Sequence, residues 1–258
     1  MKYIPIIAII CIFITLSAIV AAGNSAPIGM DIAKGNVQKF INAPDTTVHY
    51  QNTEHLNLGD YFIFNTGEGQ VYINTYTGTM ERVSYNHAWK GSPDTLLDPA
   101  GAKEIAMAYV KEKYSGFAEK NMQLIESKLI SHGDIGSEYT YVWRENNKGV
   151  LTPNTVVVNL DSANGDITSY IGIQREIQCR LEPKITDDEA LKIAEGQFPK
   201  IRITDAAADL SVEYTQPGVQ TLTWVVTMKG EPEDYVLQGG LIVIDALTGD
   251  VLMVSPYL

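Results

Sequence analysis

Residues 241–254, LIVIDALTGDVLMV, have the pattern of a β-hairpin. Ile242 and Ile244 are two residues apart, so they lie on the same face of an extended strand. Asp245 is suited to end that strand, because its short side chain can accept hydrogen bonds from turn amides. Gly249 can supply the positive φ that closes a short loop. The stretch therefore predicts a strand, a four-residue loop and a second strand.

The same pattern occurs at residues 156–171, VVVNLDSANGDITSYI, and at residues 71–83, VYINTYTGTMERV. A single hairpin of this kind is common, but three with matching offsets indicate an internal repeat. The matched positions are the loop glycine and the polar residue four places before it: Gly78 with Asn74, Gly165 with Asp161, and Gly249 with Asp245.

A helix is predicted before each of the last two hairpins. In residues 185–198, ITDDEALKIAEGQF, Thr186 is a good N-cap and Glu189 completes a capping box. In residues 97–114, LDPAGAKEIAMAYVKEKY, Asp98 takes the cap and Pro99 the first helical position. Residues at helical spacing predict two core-facing stripes: Ala190, Ile193, Ala194 and Phe198 in one, and Ala102, Ile105, Ala106 and Val110 in the other.

The first repeat has only GNVQKFI in the corresponding place, with Val37, Phe40 and Ile41 on one face, which predicts a shorter or degraded helix. Alternating strands fill the space between helix and hairpin. Tyr139, Tyr141 and Trp143 share one face of SEYTYVWRE, and the core under the helix is their expected place rather than an interface. Further alternating strands are TLTWVVTMKG, with Leu222, Trp224, Val226 and Met228, and DYFIFNTGEG in the first repeat.

These patterns predict an α+β fold of three tandem units, each a helix packed on a three- to four-stranded antiparallel sheet. The first, degenerate unit covers residues 27–90, the second 91–178 and the third 179–258. The segments that join them are NHAWKGSPDT and QREIQCRLEP, neither of which is a flexible Gly/Ser linker.

The units resemble the PepSY family and the related YcdB/YcdC-type repeated domain. ITDDEALKIAEGQF followed by LIVIDALTGDVLMV carries the resemblance in the third unit, and YTYVWRENNKGVLTPNTVVVNLDSANGDITSY carries it in the second. The resemblance implies a helix on an antiparallel sheet, a secreted or surface-exposed protein, and a kinship with domains in propeptides of secreted metallopeptidases. An inhibitory role has been proposed for PepSY domains. No catalytic residue carries over, because the matched positions, Asp161, Gly165, Asp245, Gly249 and the helix stripes, are structural.

Residues 1–22, MKYIPIIAIICIFITLSAIVAA, have the order of a secretory signal peptide: a lysine, an apolar run and small residues. Val20 and Ala22 fit the rule for cleavage, so we expect the cut after Ala22. An uncleaved membrane anchor is the alternative, because the apolar run is only slightly short of a span. Cleavage would remove Cys11, leave Cys179 as a lone cysteine that we expect to be buried, and exclude an internal disulfide.

The chain is acidic. It has 258 residues, 31 Asp and Glu against 19 Lys and Arg, and a net charge of −12. Loss of Lys2 with the signal peptide would make it −13. Such a surface argues against nucleic acid as a partner, because binding phosphates needs clustered positive charge. It also argues against anionic lipid, so we expect no membrane contact beyond the N-terminal segment.

Searches for chemistry give no catalytic residue, no cofactor and no metal site. His49, His55, His87 and His132 lack zinc-peptidase spacing. The acids at 187–189 fit a helix start, and Glu231, Glu233 and Asp234 lack the spacing of an EF-hand. TGEGQV has glycines but no P-loop lysine. Cys179 has no recognisable thiol partner.

The sequence therefore predicts a secreted or extracytoplasmic, non-enzymatic binding or regulatory protein. A secreted peptidase is the expected partner, another envelope protein is the second possibility, and the oligomeric state is open. The alternatives are a structural spacer of the cell envelope and a hydrolase whose site the sequence does not reveal.

Overall fold

The structure is a computed structural model that describes residues 26–86, 97–233 and 236–257. The predicted signal peptide, Cys11, His87, Asp234 and nearly all of NHAWKGSPDT lie outside these residues. The three α-helices of the described part are α1 (Met30–Phe40), α2 (Pro99–Lys113) and α3 (Asp187–Glu195). Its strands are β1 (His49–Leu56), β2 (Gly59–Asn65), β3 (Gly69–Asn74), β4 (Met80–Tyr85), β5 (Met122–Ser131), β6 (Ser137–Asn147), β7 (Val150–Asp161), β8 (Ile167–Ile173), β9 (Ile203–Gln216), β10 (Val219–Glu233), β11 (Val236–Asp245) and β12 (Val251–Pro256).

The three predicted hairpin loops are confirmed, and they share one geometry. In the last loop, the Gly249 amide donates to the Asp245 carbonyl at 2.9 Å and the Asp245 amide to the Asp250 carbonyl at 2.9 Å. The Asp245 carboxylate accepts from the amides of Leu247 and Thr248. The loop glycines at positions 78, 165 and 249 have φ of 69°, 80° and 81°. The strand-ending polar residue and the glycine therefore do what the repeated sequence pattern requires of them.

Each loop is also tied to the helix of its own repeat. The residue after the strand-ending Asn or Asp accepts a backbone hydrogen bond from the segment that leads into the helix. Its own amide donates to a carbonyl near the start of another strand. The first set of bonds is Ile28 to Thr75 at 2.7 Å, Leu97 to Ser162 at 2.6 Å and Ile185 to Ala246 at 3.2 Å; the second is Thr75 to Asp60, Ser162 to Ser137 and Ala246 to Leu222. The internal repeat therefore extends to matching long-range contacts.

The helix starts agree with the sequence, except in the first repeat. Thr186 and Glu189 form the predicted capping box at α3, and Asp98 caps α2. The prediction of a shorter first helix holds against α2 but not against α3, because α1 has 11 residues, α2 has 15 and α3 has 9. Gly29 occupies the N-cap of α1 and provides no side-chain cap, so the sequence lacks the usual signal for a helix start.

The predicted fold class is wrong. It placed each helix on a separate small sheet, whereas the strands of the described residues join into one mixed sheet of twelve strands. The order is β1-β2-β3-β4-β8-β7-β9-β10-β11-β12, with β5 and β6 branching from β7. β4 pairs antiparallel with β8, and β7 pairs in parallel with β9 at Leu151 and Ser211. Separate small sheets would have left more unpaired strand edges, and these long-range pairings satisfy part of them.

The chain forms two compact units. The N-terminal unit comprises the described residues of Ile10–Glu145 and Asn154–Gln174, and the C-terminal unit those of Asn146–Pro153 and Arg175–Leu258. The tip of the β6–β7 hairpin, residues 146–153, thus belongs to the C-terminal unit although its two strands continue in the N-terminal one. The boundaries predicted at 90/91 and 178/179 stay predictions.

The hairpin tip contributes to a small core of the C-terminal unit. Val150 is 4% exposed and belongs to a cluster with Val212, Leu222 and Ala246. The Ser211 hydroxyl donates to the Leu151 carbonyl at 3.2 Å. Cys179 and Leu181, from the QREIQCRLEP segment, are partly buried against the same cluster. This segment is therefore a packed connection.

A β-branched residue at the last loop glycine is expected to destabilise the fold. Gly249 has φ +81°, and an added Cβ would lie 3.4 Å from Ile193 Cδ1. We expect Gly249→Val to cost about 1–2 kcal/mol, since left-handed backbone is unfavourable for a residue with a Cβ. Thr248→Ala is the neighbouring control and should cost less. Equal melting temperatures for Gly249→Val and the unchanged chain would contradict the role of this glycine.

Candidate binding edge

The acids at the start of α3 serve the helix. Glu189 accepts from the Thr186 amide at 2.8 Å, and hydrogen bonds from the Thr186 backbone and hydroxyl lower the pKa of Glu189. Asp187 accepts from the amide of Asp188. The three carboxylates lie in the first turn, where the helix dipole favours negative charge.

The histidines in the described part of the chain have different neighbours. His55 Nδ1 lies 2.7 Å from an Asp60 carboxylate oxygen, with the His55 side chain 77% exposed. His132 Nε2 lies 3.2 Å from a Glu138 oxygen, and Glu138 also accepts from Thr168. His49 is exposed on β1. The carboxylates beside His55 and His132 belong to different strands, β2 and β6.

The remaining sequence candidates have structural contacts. Glu231 forms an exposed ion pair with Arg202 at 2.9 Å. Cys179 is half-buried, so its predicted burial is confirmed in part. This burial raises the pKa of the Cys179 thiol. In TGEGQV, the Thr66 hydroxyl accepts from the amides of Glu68 and Gly69 and donates to the Gly69 carbonyl, which makes a tight turn between β2 and β3.

Within residues 26–86, 97–233 and 236–257, no group of three or more His, Cys, Asp and Glu side chains is arranged to hold a metal ion. In that same part of the chain, none of the helices has the length and apolar character needed to cross a bilayer.

The aromatic face of β6 is buried, as predicted. Tyr139, Tyr141 and Trp143 are 5%, 1% and 1% exposed. The Tyr139 hydroxyl donates to the Leu97 carbonyl at 2.8 Å and that of Tyr141 to the Pro99 carbonyl at 2.9 Å. These tyrosines fasten the start of α2 to the sheet. In the third repeat, Trp224 donates in the same way to the Ile185 carbonyl.

The ends of the sheet are protected against further pairing. A free strand edge carries unpaired amides and carbonyls that attract another strand, and proteins obstruct it with bulges, lysine or proline. β1 has a bulge between Tyr50 and Asn52. β5 has a bulge after Leu124 and carries Lys128. β12 has a bulge near its start and ends at Pro256.

Residues 205–209 of β9 contain no bulge, lysine or proline, although a bulge lies directly before them, between Ile203 and Asp205. β9 pairs with β10 along its length but with β7 only at Ser211, so in the described part of the chain its preceding residues have a strand on one side alone. From Asp205 to Leu210 the register with β10 is regular. Residues 205–209 are DAAAD, with no proline, lysine or arginine. We call these five residues the open edge.

The open edge is accessible and acidic. Asp205, Ala206, Ala207 and Asp209 are exposed, and Ala208 is half-buried. Short alanine side chains leave room for another backbone to approach. Asp205 and Asp209 lie on the same face of the strand, because they are an even number of residues apart. Asp205 has Lys229 Nζ at 3.5 Å, whereas Asp209 has no ion pair within the residues that the structure describes.

Sequence reasoning missed the open edge. Residues 203–216 were not identified as a strand, because alanine and aspartate have low β propensity and DAAAD shows no apolar alternation. A usable signal follows in LSVEY, where Leu210 and Val212 alternate with polar residues and are buried or half-buried.

No family model matches this chain, and no curated protein matches it. The chain is similar to the solved structure of the Bacillus megaterium YpeB C-terminal domain. The similarity covers 90% of this chain and 99% of that domain, at 14% sequence identity and a TM-score of 0.49. At that level the match carries no argument about function, and membership of the PepSY family stays a prediction.

Proposed function

We propose that this chain is a non-enzymatic binding protein that captures an extended segment of another protein at the open edge. The observation that carries the proposal is the strand edge at residues 205–209, which has a neighbouring strand on one side alone among the described residues. Its outward amides and carbonyls can form a ladder of hydrogen bonds with an added strand, which is a common mode of peptide recognition.

The packing around β9 supports a rigid docking strand. On the face turned towards α3, Ala208 packs against a core that includes Val226 and Met228, both 0% exposed. β10 holds β9 from Asp205 to Leu210 without a bulge. A strand fixed in this way loses little conformational freedom when a partner binds, which favours affinity.

The partner in this proposal is a secreted peptidase, whose activity the chain modulates from outside the membrane. This part rests on the sequence resemblance to PepSY domains and on the signal-peptide pattern of residues 1–22. The net charge of −12 would favour encounter with a basic partner and make the encounter sensitive to salt.

A pair of proline substitutions tests the use of the edge. Alternate residues of a strand direct their amides to opposite sides, so one of Ala206→Pro and Ala207→Pro removes an outward amide while the other removes a bond to β10. The variant that keeps the melting temperature of the unchanged chain is the edge-blocked variant. The other is the matched control that shows which amide faces β10.

The expected result is that the unchanged chain forms a complex with a secreted peptidase of its host and alters that enzyme's hydrolysis of casein. The edge-blocked variant should bind at least about tenfold more weakly, through loss of ladder hydrogen bonds. Equal binding of the peptidase by the unchanged chain and the edge-blocked variant would contradict the open edge as the binding site. No complex at micromolar concentration with any secreted peptidase would contradict the partner class, and casein hydrolysis by the chain alone, abolished by one substitution, would contradict the non-enzymatic function.

A further inference from the structure

We infer that the segment bound at the open edge carries two basic residues four positions apart, and that a second copy of this chain is excluded from the edge. This inference rests on the proposed function and specifies the chemistry of its partner.

The spacing follows from the two carboxylates. Asp205 and Asp209 lie on one face of β9, separated by four residues, or about 14 Å along an extended strand. In a strand added beside β9, residues opposite these two positions lie on the same face and are also four apart. Opposite charges across neighbouring strands are favourable, so lysine or arginine fits both places.

The two acids are not equally available. The Lys229 ammonium already lies 3.5 Å from Asp205, with the Lys229 side chain 16% exposed. Asp209 is exposed and, among the described residues, lacks a cation. The basic residue opposite Asp209 should therefore contribute more to binding than the one opposite Asp205.

Self-pairing is opposed by the same carboxylates. If two copies paired antiparallel about a twofold axis at Ala207, Asp205 of one copy would face Asp209 of the other, twice. Like charges directly opposite each other destabilise a strand pair. The three alanines between them offer little apolar area to offset this repulsion. The acids thus favour a basic segment over a second copy.

Two peptides of identical composition provide the test. In TKVTVKT the lysines are four apart and share a face; in TKVTKVT they are three apart and lie on opposite faces. The neutral TQVTVQT and the acidic TEVTVET complete the set, all with blocked ends. Binding to the full chain is measured by fluorescence anisotropy at low and high salt.

We expect TKVTVKT to bind about two- to fivefold more tightly than TKVTKVT or TQVTVQT, as cross-strand ion pairs are modest. Asp209→Asn should remove most of this preference, Asp205→Asn less of it, and Asp209→Lys should shift the preference towards TEVTVET. Asp209 is exposed, so melting temperatures close to that of the unchanged chain should accompany the two changes at that position.

The outcomes separate the inference from the proposed function. Equal binding of TQVTVQT and TKVTVKT, lost when the peptide backbone is N-methylated at alternate residues, would overturn the charge pattern and leave binding at the edge intact. No binding by any of the peptides would contradict both the charge pattern and the proposed binding at the open edge. Sedimentation that showed a dimer of the unchanged chain, dissociated in the edge-blocked variant, would overturn the exclusion of a second copy.

Discussion

Replacing Val150 with aspartate is expected to destabilise the C-terminal unit by about 3 kcal/mol or more, because it removes roughly 1.5–3 kcal/mol of side-chain burial and places a carboxylate in an apolar cluster. Val150 is 4% exposed and packs with Val212, Leu222 and Ala246. Unfolding in urea, followed by circular dichroism, measures the loss. Asn147→Asp is the matched control, because it adds the same charge at an exposed position three residues away.

The comparison isolates burial at the hairpin tip. If packing of the tip stabilises the C-terminal core, the urea midpoint of Val150→Asp should lie far below that of Asn147→Asp. Similar midpoints for the two variants would show that residues 146–153 are dispensable to that core.

Trp143→Ala is expected to cost about 3–5 kcal/mol, the range for deleting a large buried aromatic side chain. Trp143 is 1% exposed. Its ring meets Phe117 edge to face at 6.0 Å and stacks with Tyr141 at 5.9 Å. The cavity would therefore open beneath the tyrosines that bond to the start of α2.

Thermal unfolding of Trp143→Ala and Trp143→Phe together tests this assignment. Phenylalanine keeps most of the buried area and should cost clearly less, in line with a volume effect. A Trp143→Ala variant that melts within a degree or two of the unchanged chain would contradict the packing described for β6.

Local features of the fold were predictable from the sequence because local chemistry decides them. Gly249 and Asp245 set a loop through backbone conformation and short-range hydrogen bonds, and Thr186 with Glu189 set a helix start. The alternation of Tyr139, Tyr141 and Trp143 identified a buried face. Each of these signals lies within a few residues of the structure that it determines.

The joining of the strands into one sheet was not predictable in this way. The pairing of Leu151 with Ser211 connects residues sixty positions apart in sequence, and neither residue carries a local mark of it. The open edge was missed for a related reason: Asp205 and Asp209 become part of a strand because β10 supplies their partners. Helix α1 was also hard to predict from local sequence. Gly29 provides no side-chain cap, and the burial of Ala33 and Val37 on this helix depends on the sheet.

The hairpin tip has a consequence for how the chain is made. Val150 leaves the ribosome well before Leu222 and Ala246, and at synthesis rates of about 5–20 residues per second Ala246 follows roughly 5–20 seconds later. During that interval Val150 at the hairpin tip lacks the residues that bury it, while the rest of β7 can already pair with β8. The polar turn at residues 146–149, NNKG, helps to keep the hairpin tip soluble, as charged and polar residues beside apolar strands commonly do. Chains that stop short of Ala246 retain an uncovered Val150, so premature termination should yield products that aggregate or are degraded, even though most of the sequence has been translated.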